Sequence, residues 1–262
     1  MATYLDRILE RHREVSATDA RPTAGLAAQA RSMPTTRGFT AALQAADGLA
    51  VISEIKRRSP SKGALNVELD PAEMARTYEE GGASCLSVLT DVEHFGGSVA
   101  DLQAARAACS LPVLRKDFTV SANDVCDARL MGADCVLLIA AALGRDELVT
   151  LHALATDIGL DVLVEIHDEP ELDVALAAGA TLVGVNQRDL VTFQVDHERA
   201  LRMAGVIPDG VVRVAESGVR GPEDAAALHA AGYHAVLVGE TLVTAADPAA
   251  AIRGLRNARP VR

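Results

Sequence analysis

Short apolar runs in this chain end in charged or amide residues. Glu54-Ile55-Lys56 closes one run, Arg115-Lys116-Asp117 a second and Glu165-Ile166-His167 a third. Ala215-Glu216-Ser217-Gly218 closes a fourth, and Asn186 a fifth within GVNQRDL. In an extended strand, residues two apart share a face, so Glu54 and Lys56 point the same way. Withdrawing a charge from water is costly unless it is paired. Lysines and carboxylates recurring at strand ends therefore make sense as partners around a ligand. Such a set can move protons, with an ammonium as acid and a carboxylate as base. For any one residue the plainer reading is a solvated ion pair just past the strand. Recurrence at five equivalent points favours a site.

Two glycine-containing turns, Glu216-Ser217-Gly218-Val219 and Gly239-Glu240, follow the last two apolar runs. Backbone N–H groups and a helix N-terminus can hold an anion there without a positive surface. In an eight-stranded α/β barrel the loops after the last two strands are a frequent phosphate site. Ser59-Pro60-Ser61-Lys62-Gly63, after the first run, adds hydroxyls and a cation. His94, His167, His229 and His234 show no ligand spacing and no HExxH occurs, so no metal is expected. His167 reads as support for Glu165, and Asp189, following Arg188, as half of a loop-fixing ion pair.

The elements that must carry these residues repeat. Gly82-Ala83 leads into CLSVL, Gly132-Ala133 into CVLLI, Gly179-Ala180 into LVGV and Gly232-Tyr233 into AVLVG. A glycine past a helix end followed by a fully apolar run is the signature of an α-to-β step onto a buried parallel strand. Four further runs, 49–55, 111–114, 161–166 and 211–215, interleave with these to give eight strand candidates. The stretches between are Ala-rich, and three open near Pro71, Pro170 and Pro222, as helix starts do. Eight β/α units predict an α/β fold of the (β/α)8 TIM-barrel type. Residues 1–48 read as an N-terminal helical extension packed on the barrel, with helices over 4–15 and 39–46 and a polar linker between. No composition break divides residues 1–262, so one domain is expected.

Composition narrows the class. Of 262 residues, 49% are hydrophobic and 23% charged, which excludes a disordered chain. The net charge of −11 argues against a nucleic-acid partner. No apolar run is long enough for a membrane helix, and the charged N-terminus lacks a signal core. Cys85, Cys109, Cys126 and Cys135 are scattered and read as small hydrophobes in a reducing, cytoplasmic compartment. The expected partner is a phosphorylated small molecule, and the expected state a monomer or weak homo-oligomer.

Together, ISEIKRRSPSKG (52–63), SVLTDVEHFGGS (87–98), LPVLRKDF (111–118), ADCVLLIAA (133–141), VLVEIHDEPEL (162–172), GVNQRDLVTFQVD (184–196), VAESGVRGPED (214–224) and AVLVGETLV (235–243) closely resemble the indole-3-glycerol phosphate synthase family. The resemblance covers nearly all of 49–243. It implies ring closure, decarboxylation and dehydration of 1-(2-carboxyphenylamino)-1-deoxyribulose 5-phosphate in tryptophan biosynthesis, with no cofactor. It implies catalytic roles for Glu54, Lys56, Lys116, Glu165, Asn186, Glu216 and Ser217. It also implies phosphate contacts from Ser217, Gly218, Gly239 and Glu240, assisted by Ser59. Phe95, Phe118 and Leu137 would wall the aromatic ring, and Arg188 would order the site. Lys116 is expected to be the acid in ring closure; burial and a nearby cation can lower a lysine pKa towards a useful value, while carboxylates oppose that shift. Lys56 would bind substrate anions or protonate the departing hydroxyl; which lysine acts at which step stays open. Arg58, Asp91 and Gln187 depart from the family pattern without removing a catalytic group. The rivals are a sugar-phosphate isomerase of the same fold and a non-catalytic barrel that binds a phosphorylated metabolite.

Overall fold

The computed structural model describes residues 3–258; residues 1–2 and 259–262, the ends of the expected domain, lie outside the described residues. The N-terminal extension holds α1 (Tyr4–Ala17), α2 (Thr23–Arg31) and α3 (Phe39–Gln44). Strand β1 (Ala50–Ile55) follows, then a small hairpin of β2 (Arg58–Ser59) and β3 (Gly63–Ala64). Next come α4 (Pro71–Glu80), β4 (Cys85–Leu89), α5 (Val92–Phe95), α6 (Val99–Ala108), β5 (Val113–Lys116), α7 (Ala122–Leu130) and β6 (Cys135–Ile139). The chain continues through α8 (Arg145–Asp157), β7 (Asp161–Ile166), α9 (Glu169–Ala177), β8 (Leu182–Asn186), α10 (Arg199–Ala204) and β9 (Val212–Glu216). It closes with α11 (Pro222–Ala230), β10 (Ala235–Val238), α12 (Glu240–Val243) and α13 (Pro248–Arg256). Eight parallel strands form a closed barrel in the order β1-β10-β9-β8-β7-β6-β5-β4, the expected TIM barrel.

Local chemistry explains the element boundaries. Asp70 caps α4 by accepting from Ala72 and Glu73 N–H, with Pro71 in the first turn. Asp168 does the same for α9 by accepting from Glu171 N–H. Pro222 opens α11. The four repeat glycines, Gly82, Gly132, Gly179 and Gly232, have φ from +84° to +101°, a region that penalises any residue with a Cβ.

Alternation along the strands divides the apolar residues into two sets. Leu86, Val88, Val136, Val164, Val183 and Val236 face the helices. Ile52, Leu114, Leu137, Leu163, Val214 and Leu237 fill the barrel interior. Phe39 and Leu43 of α3 join the interior set and close the barrel's N-terminal end, both nearly inaccessible. Side chains fix α3 there: Thr40 N–H donates to Asp161 Oδ2 at 2.9 Å and Arg37 N–H to Asp134 Oδ1 at 2.8 Å.

Two expectations shift. The "polar linker" of the extension contains α2, whose Leu26, Ala27 and Ala30 are buried and which packs on α7. Nine residues with Gly25 inside give too few turns for a clear period. The third barrel strand is Val113–Lys116 rather than 111–114, so Arg115 and Lys116 lie within the strand. The same holds for Glu54, Glu165, Asn186 and Glu216, which are buried strand residues and not solvated ones beyond the ends. Of the cysteines, Cys85, Cys126 and Cys135 are buried and Cys109 half-buried. No helix among the described residues is long and apolar enough to cross a membrane.

Candidate active site

A cavity of about 480 Å³ opens at the C-terminal ends of the strands. Every residue singled out above as a catalytic, phosphate or ring contact lines it, from Glu54 on β1 to Glu240 after β10. Strand register explains the convergence. Glu54 pairs with Ser87, Leu89 with Lys116, Glu165 with Gly184, and Asn186 with Glu216, so these groups form one layer above the apolar interior.

Within that layer the charges are paired. Lys56 Nζ bonds Glu54 Oε1, and Ser87 Oγ lies 3.5 Å from Glu54 Oε2. Lys116 Nζ is 3.6 Å from Glu165 Oε2. Asn186 Nδ2 donates to Glu165 Oε1 at 3.0 Å, while its Oδ1 accepts from Arg188 N–H at 3.0 Å. Glu165 is 1% exposed and Glu216 2%. Burial opposes ionisation of Glu54, but Lys56 and Lys116 outweigh it and hold the carboxyl below its ordinary value. Burial alone would lower Lys116. The charge of Glu165, followed by the neighbouring carboxyls, prevails and holds the ammonium above the ordinary lysine value. Of the two opposing influences weighed from the sequence, burial and the carboxylates, the carboxylates win. Burial, followed by the charge of Glu165, pushes the Glu216 carboxyl well above its ordinary value. Glu216 Oε1 is buried with no hydrogen-bond partner among the described residues.

Two glycines make room for this layer. A Cβ on Gly184 would collide with Glu216 Oε1, and one on Gly239 with Glu54 Oε1. Gly239, expected only as a phosphate contact, thus also houses a carboxylate. After β9, Ser217 adopts φ +65° and Gly218 +72°. A non-glycine residue there costs roughly 1–3 kcal/mol and persists only where its surroundings fix it. Lys62 Nζ reaches within 3.6 Å of Glu240 Oε1, which brings the β2–β3 hairpin to the turn after β10.

The apolar side of the cavity combines barrel and extension. Phe95 and Phe118 stand 6.4 Å apart by ring centroids, with Leu137 lining the same space. Tyr4, Leu5 and Ile8 of α1 also line it. Tyr4 packs edge-on against Phe193 at 5.3 Å and His94 at 5.7 Å. Sequence reading missed these three because α1 was treated as packing. The only available signal was that Leu5 and Ile8 share one helix face.

Ion pairs tether α1 beside this wall. His12 Nε2 lies 3.3 Å from Asp91 Oδ2 and 3.8 Å from Asp117 Oδ1. His94 Nδ1 is 3.1 Å from the same Asp91 oxygen, and Arg115 Nη2 is 3.1 Å from Asp117 Oδ2. Potential ligand atoms, one each from His12, Asp91 and Asp117, lie within 4.8 Å of one another, and the Arg115 guanidinium lies against Asp117 in the same cluster. Burial lowers the His12 pKa, and its bond to Asp91 with the charges of Asp117, Asp91 and Asp124 more than reverses this. A raised folded-state pKa means the tether is fully present below the unfolded value of about 6.5 and is lost as pH rises through the higher folded value. Hydrogen exchange of the α1 amides is therefore expected to quicken, beyond intrinsic exchange chemistry, as pH rises above about 6.5. His12→Asn should flatten that dependence; identical profiles in both proteins would refute the tether.

Other expectations resolve as follows. His167 Nδ1 lies 3.0 Å from Glu171 Oε2, while its Nε2, 4.0 Å from Glu165 Oε1, makes no hydrogen bond among the described residues, so its bonded partner is Glu171. Asp189 forms no ion pair with Arg188 among the described residues. Instead it accepts N–H bonds from Val191 (2.9 Å) and Thr192 (2.7 Å), because a short turn leaves those donors otherwise unmet. Arg188 orders the same loop by donating to Phe193 O at 3.0 Å.

The model of the family described as indole-3-glycerol phosphate synthase matches residues 5–255. The chain belongs to the indole-3-glycerol phosphate synthase family. It is 53% identical over 235 residues to indole-3-glycerol phosphate synthase 2 of Streptomyces coelicolor, covering 90% of this chain and 91% of that one. It is 50% identical over 259 residues to the indole-3-glycerol phosphate synthase of Mycolicibacterium vanbaalenii, covering 98% and 95%. Among solved structures, a 3-hexulose-6-phosphate synthase superposes with a TM-score of 0.64 at 19% identity, covering 80% of this chain and all of that one. A thiamine phosphate pyrophosphorylase from Pyrococcus furiosus gives 0.59 at 17% identity, covering 79% and 93%. These two likenesses speak to the barrel alone.

Proposed function

We propose that this chain converts 1-(2-carboxyphenylamino)-1-deoxyribulose 5-phosphate to indole-3-glycerol phosphate, carbon dioxide and water. The observation that carries this reading is Lys116, half-buried with its ammonium favoured by the carboxyls around it, facing Glu165 in a cavity with a Ser217-Gly218 turn at one side and an aromatic wall at the other. The phosphate would sit on the N–H groups of Ser217, Gly218, Gly239 and Glu240, with Ser59 from the hairpin. The anthranilate ring would lie between Phe95, Phe118 and Leu137.

Ring closure joins the carboxyl-bearing ring carbon to the substrate ketone carbon. The ketone π electrons move to oxygen, and Lys116 supplies the proton. A lysine held firmly charged is in the right state to donate. The developing alkoxide is a far stronger base than an amine, so the transfer runs downhill even from a raised pKa. The carbon–carboxylate bond then breaks, carbon dioxide leaves and its electron pair restores the aromatic ring. In the final step the new hydroxyl departs as water with a proton from Lys56, while Glu165 takes a proton from the ring system to complete the indole. Glu54 holds Lys56 in place for this step. Asn186 orients Glu165, and Glu216 hydrogen-bonds a substrate hydroxyl.

Tyr4, Leu5 and Ile8 of α1 line the cavity beside the barrel residues, which supports the extension and barrel acting as one unit. Scattered cysteines and an acidic surface fit a cytoplasmic enzyme acting on a phosphorylated small molecule. Mixing protein and substrate should produce the indole absorbance and fluorescence. Formation of an isomeric sugar phosphate without an indole signal would replace this reading with the isomerase.

A further inference from the structure

Gln187 follows the last residue of β8 and is 2% exposed. Its Nε2 donates to the Ser217 carbonyl at 2.7 Å. Its backbone N–H donates to Glu216 O at 3.0 Å, and its carbonyl accepts from Asp196 N–H at 2.8 Å. The residue thus bridges the end of β8, the end of β9 and the loop that precedes α10. Its side-chain bond meets the chain where the backbone is strained, at Ser217 (φ +65°). In a trans peptide the carbonyl and the following N–H point in opposite directions. Holding Ser217 O from the buried side therefore fixes the direction of Gly218 N–H. Gly218 is held from another side as well: a Cβ there would meet Val195 Cγ1 at 2.5 Å and the His197 ring at 3.2 Å, leaving little room for the peptide to rotate.

We propose that Gln187 is a positioning residue for the anion grip, clamping the Ser217–Gly218 peptide so that the Gly218 N–H is presented to the substrate phosphate. This rests on the proposed function for the identity of the anion. Sequence reading set Gln187 aside as a departure from the family pattern; the departure supplies a side chain long enough to reach across to the neighbouring strand's turn.

The test compares wild type with Gln187→Met, which keeps the volume and loses the donor, and with Gln187→Glu, which sets a carboxylate oxygen against the Ser217 carbonyl. Circular dichroism establishes folding of each. In both variants KM and the inhibition constant of inorganic phosphate should rise together, by about tenfold for Gln187→Met, the effect of one hydrogen bond. Their kcat should stay within about threefold, because Lys116 and Glu165 are untouched. Unchanged phosphate inhibition in a folded variant overturns the proposal while the proposed activity stands. So does a fall in kcat at constant KM, which would place the effect on Asn186 instead. Absence of any indole product with wild type removes the function reading itself. Phosphate affinity measured by calorimetry on the same proteins then decides the clamp independently.

Discussion

Lys116→Met lowers kcat by about two to four orders of magnitude, the contribution of a positioned general acid. Methionine keeps the unbranched shape and the cavity wall, but it cannot protonate the substrate carbonyl oxygen as the ring closes. The loss should sit in kcat, since the phosphate turn and the aromatic wall are untouched. The mutation also leaves Glu165 facing a neutral side chain at 1% exposure. Breaking a buried pair in this way costs about 3–5 kcal/mol, so thermal stability should fall without loss of the barrel. Single-turnover kinetics, with circular dichroism as the folding control, measures both effects. Near-normal turnover in a folded variant would take Lys116 out of the acid role.

Glu165→Gln should lose a comparable factor in kcat, for a different reason. The amide fills the same space and can still accept the Asn186 bond, so KM should change little, but it cannot take a proton. The pH profile should change as well. Glu165 is the largest charge holding the Lys116 pKa up. Without it the folded-state pKa of Lys116 falls, and the residual activity should decline at lower pH on the alkaline side than in wild type. A kcat within threefold of wild type, with an unmoved alkaline limb, would show that Glu165 neither moves a proton nor sustains Lys116.

Much of this was readable from residues. The eight apolar runs, the glycines before four of them and the prolines at helix starts specify a barrel because each signal is local and repeats. Placing charged residues on one strand face needed only the period of two, so Glu54, Lys116, Glu165 and Glu216 converge as expected. What stayed hidden depends on neighbours distant in sequence. Tyr4, Leu5 and Ile8 line the cavity because α1 docks through His12 onto Asp91 and Asp117, and nothing in residues 4–15 marks that partner. Gly184 looks like an ordinary strand residue until Glu216 on the adjacent strand fills the gap beside it. The charge state of Lys116 turned on a balance between burial and carboxylates on other strands, a sum that spacing alone does not weigh. The family resemblance supplied residue roles, and the structure supplied the geometry that gives those roles physical content.

The most direct measurement uses substrate carrying an isotopic label in the anthranilate carboxyl group, incubated with the purified chain at neutral pH. One labelled carbon dioxide should be released for each indole-3-glycerol phosphate formed, with no metal or organic cofactor added. Indole formation without label release, or consumption of the substrate to an uncyclised sugar phosphate that keeps its label, would contradict it.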